Sequence, residues 1–145
     1  MITADVRNYT YLSGGVLLLA LSLWFSSSVQ LDFKRAPAVP EISVRNAATA
    51  IAQGAVVIDV RERAVYERGH IAGAISVPLA ELKRRAGQYA AMKSREIVVY
   101  CGNGSTLGPE GTSALNAAGH SNARNLSGGY SGWKAAGQPV VTGPR

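Results

Sequence analysis

From Ala55 onward the chain repeats one rhythm: a short strand-like run, a turn, then a stretch of helix-forming residues. The strand candidates are Ala55-Val-Val-Ile-Asp59, Ala74-Ile-Ser-Val77, Ile97-Val-Val-Tyr100 and Ala123–Leu126. The first and third are β-branched and apolar with no polar alternation. Such strands have no face to offer water, so they suit a sheet covered on both sides. Between the strands lie the helical candidates Arg63–Arg68, Leu79–Met92 and Pro109–Ala118; Tyr130–Ala136 follows the last strand, and Asn46–Gln53 precedes the first. Gly54, Gly69, Gly119 and Gly137 stand where helices would end, and Gly87 interrupts the longest one. Pro109 in a first turn and Gly119 just past an end follow the usual asymmetry of helix termini. Strands alternating with helices predict an α/β domain with a central parallel sheet flanked by helices. No segment repeats another.

The start of the chain has a different composition. No charged residue occurs from Asn8 to Leu31, and Val16–Phe25 is strongly apolar. Residues 11–29 supply roughly the 20 residues that a helix needs to cross a bilayer. Tyr9 and Tyr11 at one end, and Trp24 and Phe25 near the other, suit the two interfaces. The expectation is one N-terminal transmembrane helix within residues 1–31, a Pro-stiffened linker over 32–40, and a folded domain over 41–145. The competing reading is a cleaved signal segment with Ser26-Ser27-Ser28 near the cleavage site. Against it, the leading region holds only Arg7, offset by Asp5. Lys34 and Arg35 beyond the span lean toward a cytoplasmic domain on a single-pass anchor. The alternative is a periplasmic or secreted domain after cleavage.

The 145 residues allow one domain of about 100 residues plus this appendage. Residues 41–145 hold twelve Lys/Arg and seven Asp/Glu, a balance of +5. That charge attracts anions in general. The basic residues are scattered apart from Lys83-Arg84-Arg85, with no aromatic-interleaved stripe, so nucleic acid is not an expected partner. A single cysteine, Cys101, excludes an intrachain disulfide, a CxxC metal site and a CxxC redox pair.

Cys101 follows a buried strand directly. After it come Gly102, Asn103, Gly104, Ser105, Thr106 and Leu107, then Gly108 and the helix carrying Pro109 and Glu110. In an open α/β sheet, ligands bind beyond the carboxyl ends of the strands. Glycines at 102, 104 and 108 permit backbone N–H groups to turn inward as a nest. The following helix aims its positive end at the same space. Ser105 and Thr106 add hydroxyl donors. These surroundings stabilise negative charge on sulfur or on an oxyanion attached to it. A lone cysteine is often just a small buried hydrophobe, but three glycines at a strand-to-helix junction offer little packing value.

Four segments in order then carry a resemblance. Val57-Ile-Asp-Val-Arg-Glu62 resembles the opening Asp-Val-Arg strand of the rhodanese family. Glu67-Arg-Gly-His-Ile-Ala-Gly-Ala-Ile75 with Val77-Pro78 resembles its Gly-His-Ile signature. Ile97-Val-Val-Tyr-Cys101 resembles its catalytic strand, and Asn125-Leu-Ser-Gly-Gly-Tyr-Ser-Gly-Trp133 its closing Gly-Gly…Gly-Trp segment. The resemblance covers 41–141. It implies an α/β fold and sulfane-sulfur transfer through a Cys101 persulfide, with no metal and no organic cofactor. The implied partners are a donor such as thiosulfate or a persulfide, and a thiol, cyanide or protein acceptor.

One departure stands out. The family places arginine fifth after its cysteine; here Thr106 is fifth and Leu107 sixth, in a loop longer by one. A longer loop resembles the cell-cycle dual-specificity phosphatases, but those need an arginine fork on the phosphate. No arginine lies between Arg95 and Arg124. Three functional classes follow: a membrane-anchored sulfurtransferase, a catalytically weak binding, carrier or sensor module, and, least favoured, a phosphatase-like anion binder. Asp59 and Arg61, at a strand end on the side of Cys101, are candidates for supporting the loop; the alternative is a structural ion pair. His70 is read as stabilising a turn, His120 as a surface residue, Trp133 as packing the last helix, and Glu110 as complementing a helix dipole.

Overall fold

The structure, a computed structural model, describes residues 38–92 and 94–144. The expected membrane span over 11–29 lies outside the described residues. Among those that are described, no helix is long and apolar enough to cross a membrane.

Five parallel strands form the central sheet: β1 (Glu41–Ile42), β2 (Val56–Asp59), β4 (Ile75–Ser76), β5 (Ile97–Tyr100) and β6 (Ala123–Leu126), in the order β1-β6-β5-β2-β4. The two strands with the most β-branched sequences, β2 and β5, sit near the middle. They pair in register from Val56 opposite Ile97 to Asp59 opposite Tyr100. Every residue of both strands is buried. Two further strands, β3 (His70–Ile71) and β7 (Val140–Val141), form a separate antiparallel pair.

Helices cover both faces. The alternation along the strands sends Val57, Val98 and Tyr100 into one core with Trp133, Tyr66 and Ala47. That core lies under α1 (Val44–Ala52), α2 (Arg63–Arg68) and α5 (Gly129–Ala135). Val56, Ile58, Ile97, Val99 and Cys101 point the other way, to Leu82 and Leu115. That second core is roofed by α3 (Leu79–Arg85), the 3₁₀ stretch Ala86–Met92 and α4 (Leu107–Ala117). Each fully buried aliphatic side chain contributes about 1.5–3 kcal/mol to such a core.

The element boundaries have local causes. Ser43 caps α1, its Oγ accepting from Asn46 N–H at 3.3 Å, so the helix starts at Val44 rather than Asn46. Helix α4 starts at Leu107, two residues before Pro109. Pro109 still lies within the first turn, where a missing N–H leaves no intrahelical bond unmade. The helical candidate Leu79–Met92 changes from α to 3₁₀ at Ala86, with its non-helical residue at Tyr89 rather than Gly87.

One histidine expectation holds and one is corrected. His70 begins strand β3, and its Nδ1 lies 2.9 Å from Tyr66 O across the turn that ends α2, with its buried ring stacked on Tyr66 at 3.6 Å. His120 is not at the surface but wholly buried. The turn after α4 folds the chain back inward, bringing His120 Nε2 to within 3.1 Å of Ala86 O. Trp133 packs α5 onto the sheet as expected and donates Nε1–H to Pro139 O. Glu110, in the first turn of α4, pairs with Lys83 at 2.6 Å.

Candidate active site

Cys101 is the first residue past β5, at the carboxyl edge of the sheet. Pleating places its side chain on the α3/α4 face, while the preceding Tyr100 faces the other core. The thiol is only 2% exposed, yet Gly102, Asn103, Ser105, Thr106 and Leu107 are all exposed, with Leu107 at 38%. The sulfur thus sits at the floor of a loop that faces solvent.

Two contacts touch the sulfur. Gly104 N–H donates to Cys101 Sγ at 3.3 Å, and the thiol donates to Asn103 Oδ1 at 3.9 Å. Asn103 Oδ1 also accepts from Ser105 N–H at 3.1 Å and from Ser105 Oγ–H at 2.8 Å. Three donors of the loop therefore converge on one oxygen.

Three carbonyls of the loop are tied to neighbouring elements of the fold. Tyr130 N–H donates to Cys101 O at 2.8 Å, and Ser131 N–H to Gly102 O at 2.9 Å, both from the first turn of α5. The Asn125 side chain on β6 donates to Gly104 O at 2.8 Å. In a trans peptide the C=O and N–H point in opposite directions. The N–H groups of Gly102, Asn103 and Ser105 are consequently turned away from α5 and β6. Of Gly102, Gly104 and Gly108, the glycines expected to shape a nest, only Gly104 has a positive φ, +78°. A Cβ at Gly104 would lie 2.6 Å from Leu126 O and 2.9 Å from Gly128 N, so the loop must be glycine at that point.

Asp59 and Arg61 lie at the same edge of the sheet, at the end of β2. They form a bidentate buried pair: Arg61 Nε donates to Asp59 Oδ1 at 2.9 Å, and Nη2 to Oδ2 at 2.6 Å. Arg61 Nη2 also donates to Gly69 O at 2.7 Å, ahead of β3. Burial acts to lower the basicity of the guanidinium. The hydrogen bonds and charge of Asp59, with smaller help from Tyr100, outweigh it and hold the group above its ordinary value. Burial in turn pushes the Tyr100 phenol up, and the Asp59 charge adds to this. The link of the pair to the loop is indirect: the guanidinium lies 4.4 Å over the Tyr130 ring, and Tyr130 N–H holds the Cys101 carbonyl. Thr106 flanks α4 without making a side-chain cap, and neither it nor Leu107 brings charge to the loop. Among the described residues no group of three His, Cys, Asp or Glu side chains is placed to hold a metal ion.

Asn125, Tyr130 and Ser131 were not singled out from sequence. Two act through backbone N–H groups, which carry no residue signature. Asn125 had one signal, a polar residue inside a strand.

Comparisons with known proteins agree with this geometry. A family model for the Rhodanese-like domain matches residues 43–136. The HTH-type transcriptional regulator Rv0324 of Mycobacterium tuberculosis is 37% identical over 87 residues, 59% of this chain; the match spans only 37% of that relative's length. The thiosulfate sulfurtransferase PspE of Escherichia coli is 34% identical over 71 residues, covering 49% of this chain and 67% of that protein. The crystal structure of a thiosulfate sulfurtransferase from Pseudomonas aeruginosa superposes with a TM-score of 0.64 at 30% identity, covering 73% of this chain and 21% of that one. With a match that takes in four of the five strands of the central sheet and the cysteine loop, the chain belongs to the rhodanese-like domain family.

Proposed function

We propose that this chain is a sulfurtransferase working through Cys101. The observation that carries the reading is the sulfur at the carboxyl edge of the sheet, 3.3 Å from the Gly104 nitrogen and beneath a loop three of whose carbonyls are tied to α5 and β6. The Cys101 thiolate attacks the sulfane sulfur of thiosulfate. A Cys101 S–S bond forms, and sulfite departs with the electron pair of the old one. The outer sulfur carries the negative charge, which the loop N–H groups stabilise. A thiolate or cyanide then attacks that outer sulfur, and Cys101 leaves as thiolate, closing the cycle. A persulfide donor serves by the same steps with a thiolate as leaving group. No step calls for a metal or organic cofactor. Residues 11–29 tether the domain to a membrane as a single-pass anchor, with the domain on the cytoplasmic side, and a protein thiol is the suitable acceptor there.

The test is sulfur transfer to cyanide from a panel of donors. Wild type is expected to turn over with at least one donor and Cys101→Ser with none. Equal rates for the two proteins would end the proposal.

A second reading has one observation in its favour. The loop has no arginine, and the nearby Arg61 is already bonded to Asp59 and Gly69. Nothing cationic in residues 102–107 faces the sulfonate end of thiosulfate. On this reading the domain is a carrier or sensor that holds sulfur and turns over slowly. Thr106→Arg separates the two: a lower KM for thiosulfate with little change in trapped sulfur favours an enzyme suited to a less anionic donor. The same absence leaves a phosphate ester without its arginine fork.

A further inference from the structure

Asn125 lies in the middle of β6 and is wholly buried. Its Nδ2 donates to Gly104 O at 2.8 Å and to Glu41 Oε1 at 3.2 Å. Both partners are acceptors, so the amide orientation is fixed: nitrogen toward the loop and β1, oxygen toward α4. Glu41 is held in turn by Ser127 Oγ–H at 2.7 Å. Asn125 Oδ1 is buried with no hydrogen-bond partner. It faces Gly108 in the first turn of α4, so closely that a Cβ at Gly108 would collide with it. A buried acceptor without a donor is a cost to folding. A strand residue facing a core would ordinarily be apolar. A polar residue kept at such a cost points to work done by its other end.

We infer that Asn125 is a positioning residue that sets the orientation of the Gly104–Ser105 peptide and thereby the anion-holding state of the Cys101 loop. By drawing the Gly104 carbonyl toward β6, it turns the Ser105 N–H the opposite way, toward the oxygen of Asn103 beside the sulfur. Without that bond the Gly104 carbonyl is free to turn outward to water, since the loop is exposed on both sides of Gly104. The flip would carry the Ser105 N–H away and aim a carbonyl dipole at the sulfur. Gly104 tolerates it, having no Cβ. The inference rests on Cys101 being the reacting group, and deepens the proposed function by naming what holds its loop in the productive form.

The experiment compares wild type, Asn125→Leu and Asn125→Asp in the full chain. Cys101 alkylation is measured with iodoacetate, which is anionic, and with iodoacetamide, its neutral analogue. Thermal melting and persulfide formation with thiosulfate are followed alongside. Asn125→Leu removes the unpaired oxygen with the same branching and number of heavy atoms, and its bulkier methyls meet Gly108, so its melting temperature is read beside the ratio and does not enter the decision. Its iodoacetate-to-iodoacetamide rate ratio should fall several-fold, and persulfide formation at least ten-fold. Asn125→Asp keeps the shape but removes the donor, and should show the same fall in ratio even if it melts lower. A ratio unchanged in both variants would overturn the inference, whatever their melting temperatures. The alkylation ratio reads the loop without any sulfur transfer. A wild type that takes no sulfur therefore counts against the sulfurtransferase reading, while the ratio still decides the role of Asn125.

Discussion

Gly129 has a φ of +54°, and a Cβ there would stand 2.5 Å from Cys101 O and 2.6 Å from Gly104 N. Both atoms are backbone and neither can swing aside. The left-handed conformation alone costs a non-glycine residue roughly 1–2 kcal/mol, and the collision adds displacement of the Cys101 loop. Gly129→Ala should therefore reduce sulfur loading of Cys101 by ten-fold or more. Gly54→Ala is the control: it carries a φ of +94° but has open space around it. It should lose a comparable increment of stability and keep full loading. Intact mass after a timed exposure to donor, read beside melting curves, checks both. At this scale the sequence was informative where chemistry and position coincided. Cys101 and the loop after it stood out because a thiol among glycines at a strand end has few other uses. Asn125 was not, because its role depends on which loop carbonyl the tertiary fold lays beside it. His120 misled for a related reason: a polar residue after a helix-ending glycine reads as surface until the fold turns it beneath another helix.

The turn after β2 ties the sheet edge to the loop indirectly, through Tyr130. Arg61 is almost wholly buried with Asp59, joins Gly69 ahead of β3, and stacks on Tyr130 at the start of α5. Removing one partner of a buried ion pair strands the other charge, at a cost of about 3–5 kcal/mol. Arg61→Met should destabilise the domain on that order, and the double change Asp59→Asn with Arg61→Met should recover a large part of it. Urea titration of the three proteins measures this; an Arg61→Met protein as stable as wild type would contradict a buried pair. The elements themselves were unevenly legible. Strands Ile97–Tyr100 and Ala123–Leu126 and helix Arg63–Arg68 fall where the sequence pattern predicts. The central strands are betrayed by their β-branched residues, which need burial on both faces. The two-residue strands β1, β3 and β7 escape such a reading, since nothing in Glu41-Ile42 or Val140-Val141 shows a partner some 70 to 85 positions away.

At the scale of the folded domain, two cores lie on opposite faces of one sheet, and Cys101 stands at its carboxyl edge beneath an exposed loop. The α/β architecture was legible because the strand–helix rhythm admits few folds. Family membership was legible because four motifs fall in order along most of it. The tether proposed for residues 11–29 belongs to the scale of the whole chain. The full chain should sediment with membranes and resist alkaline carbonate; quantitative recovery in the supernatant would refute the anchor without touching the sulfur chemistry. That chemistry has its own direct measurement, the intact mass of the protein after incubation with thiosulfate or a persulfide donor. Wild type should gain the mass of one sulfur, lose it again on adding cyanide, and show neither change in Cys101→Ser. A wild type that gains nothing from any donor, or a Cys101→Ser protein that gains the same mass, would contradict the account.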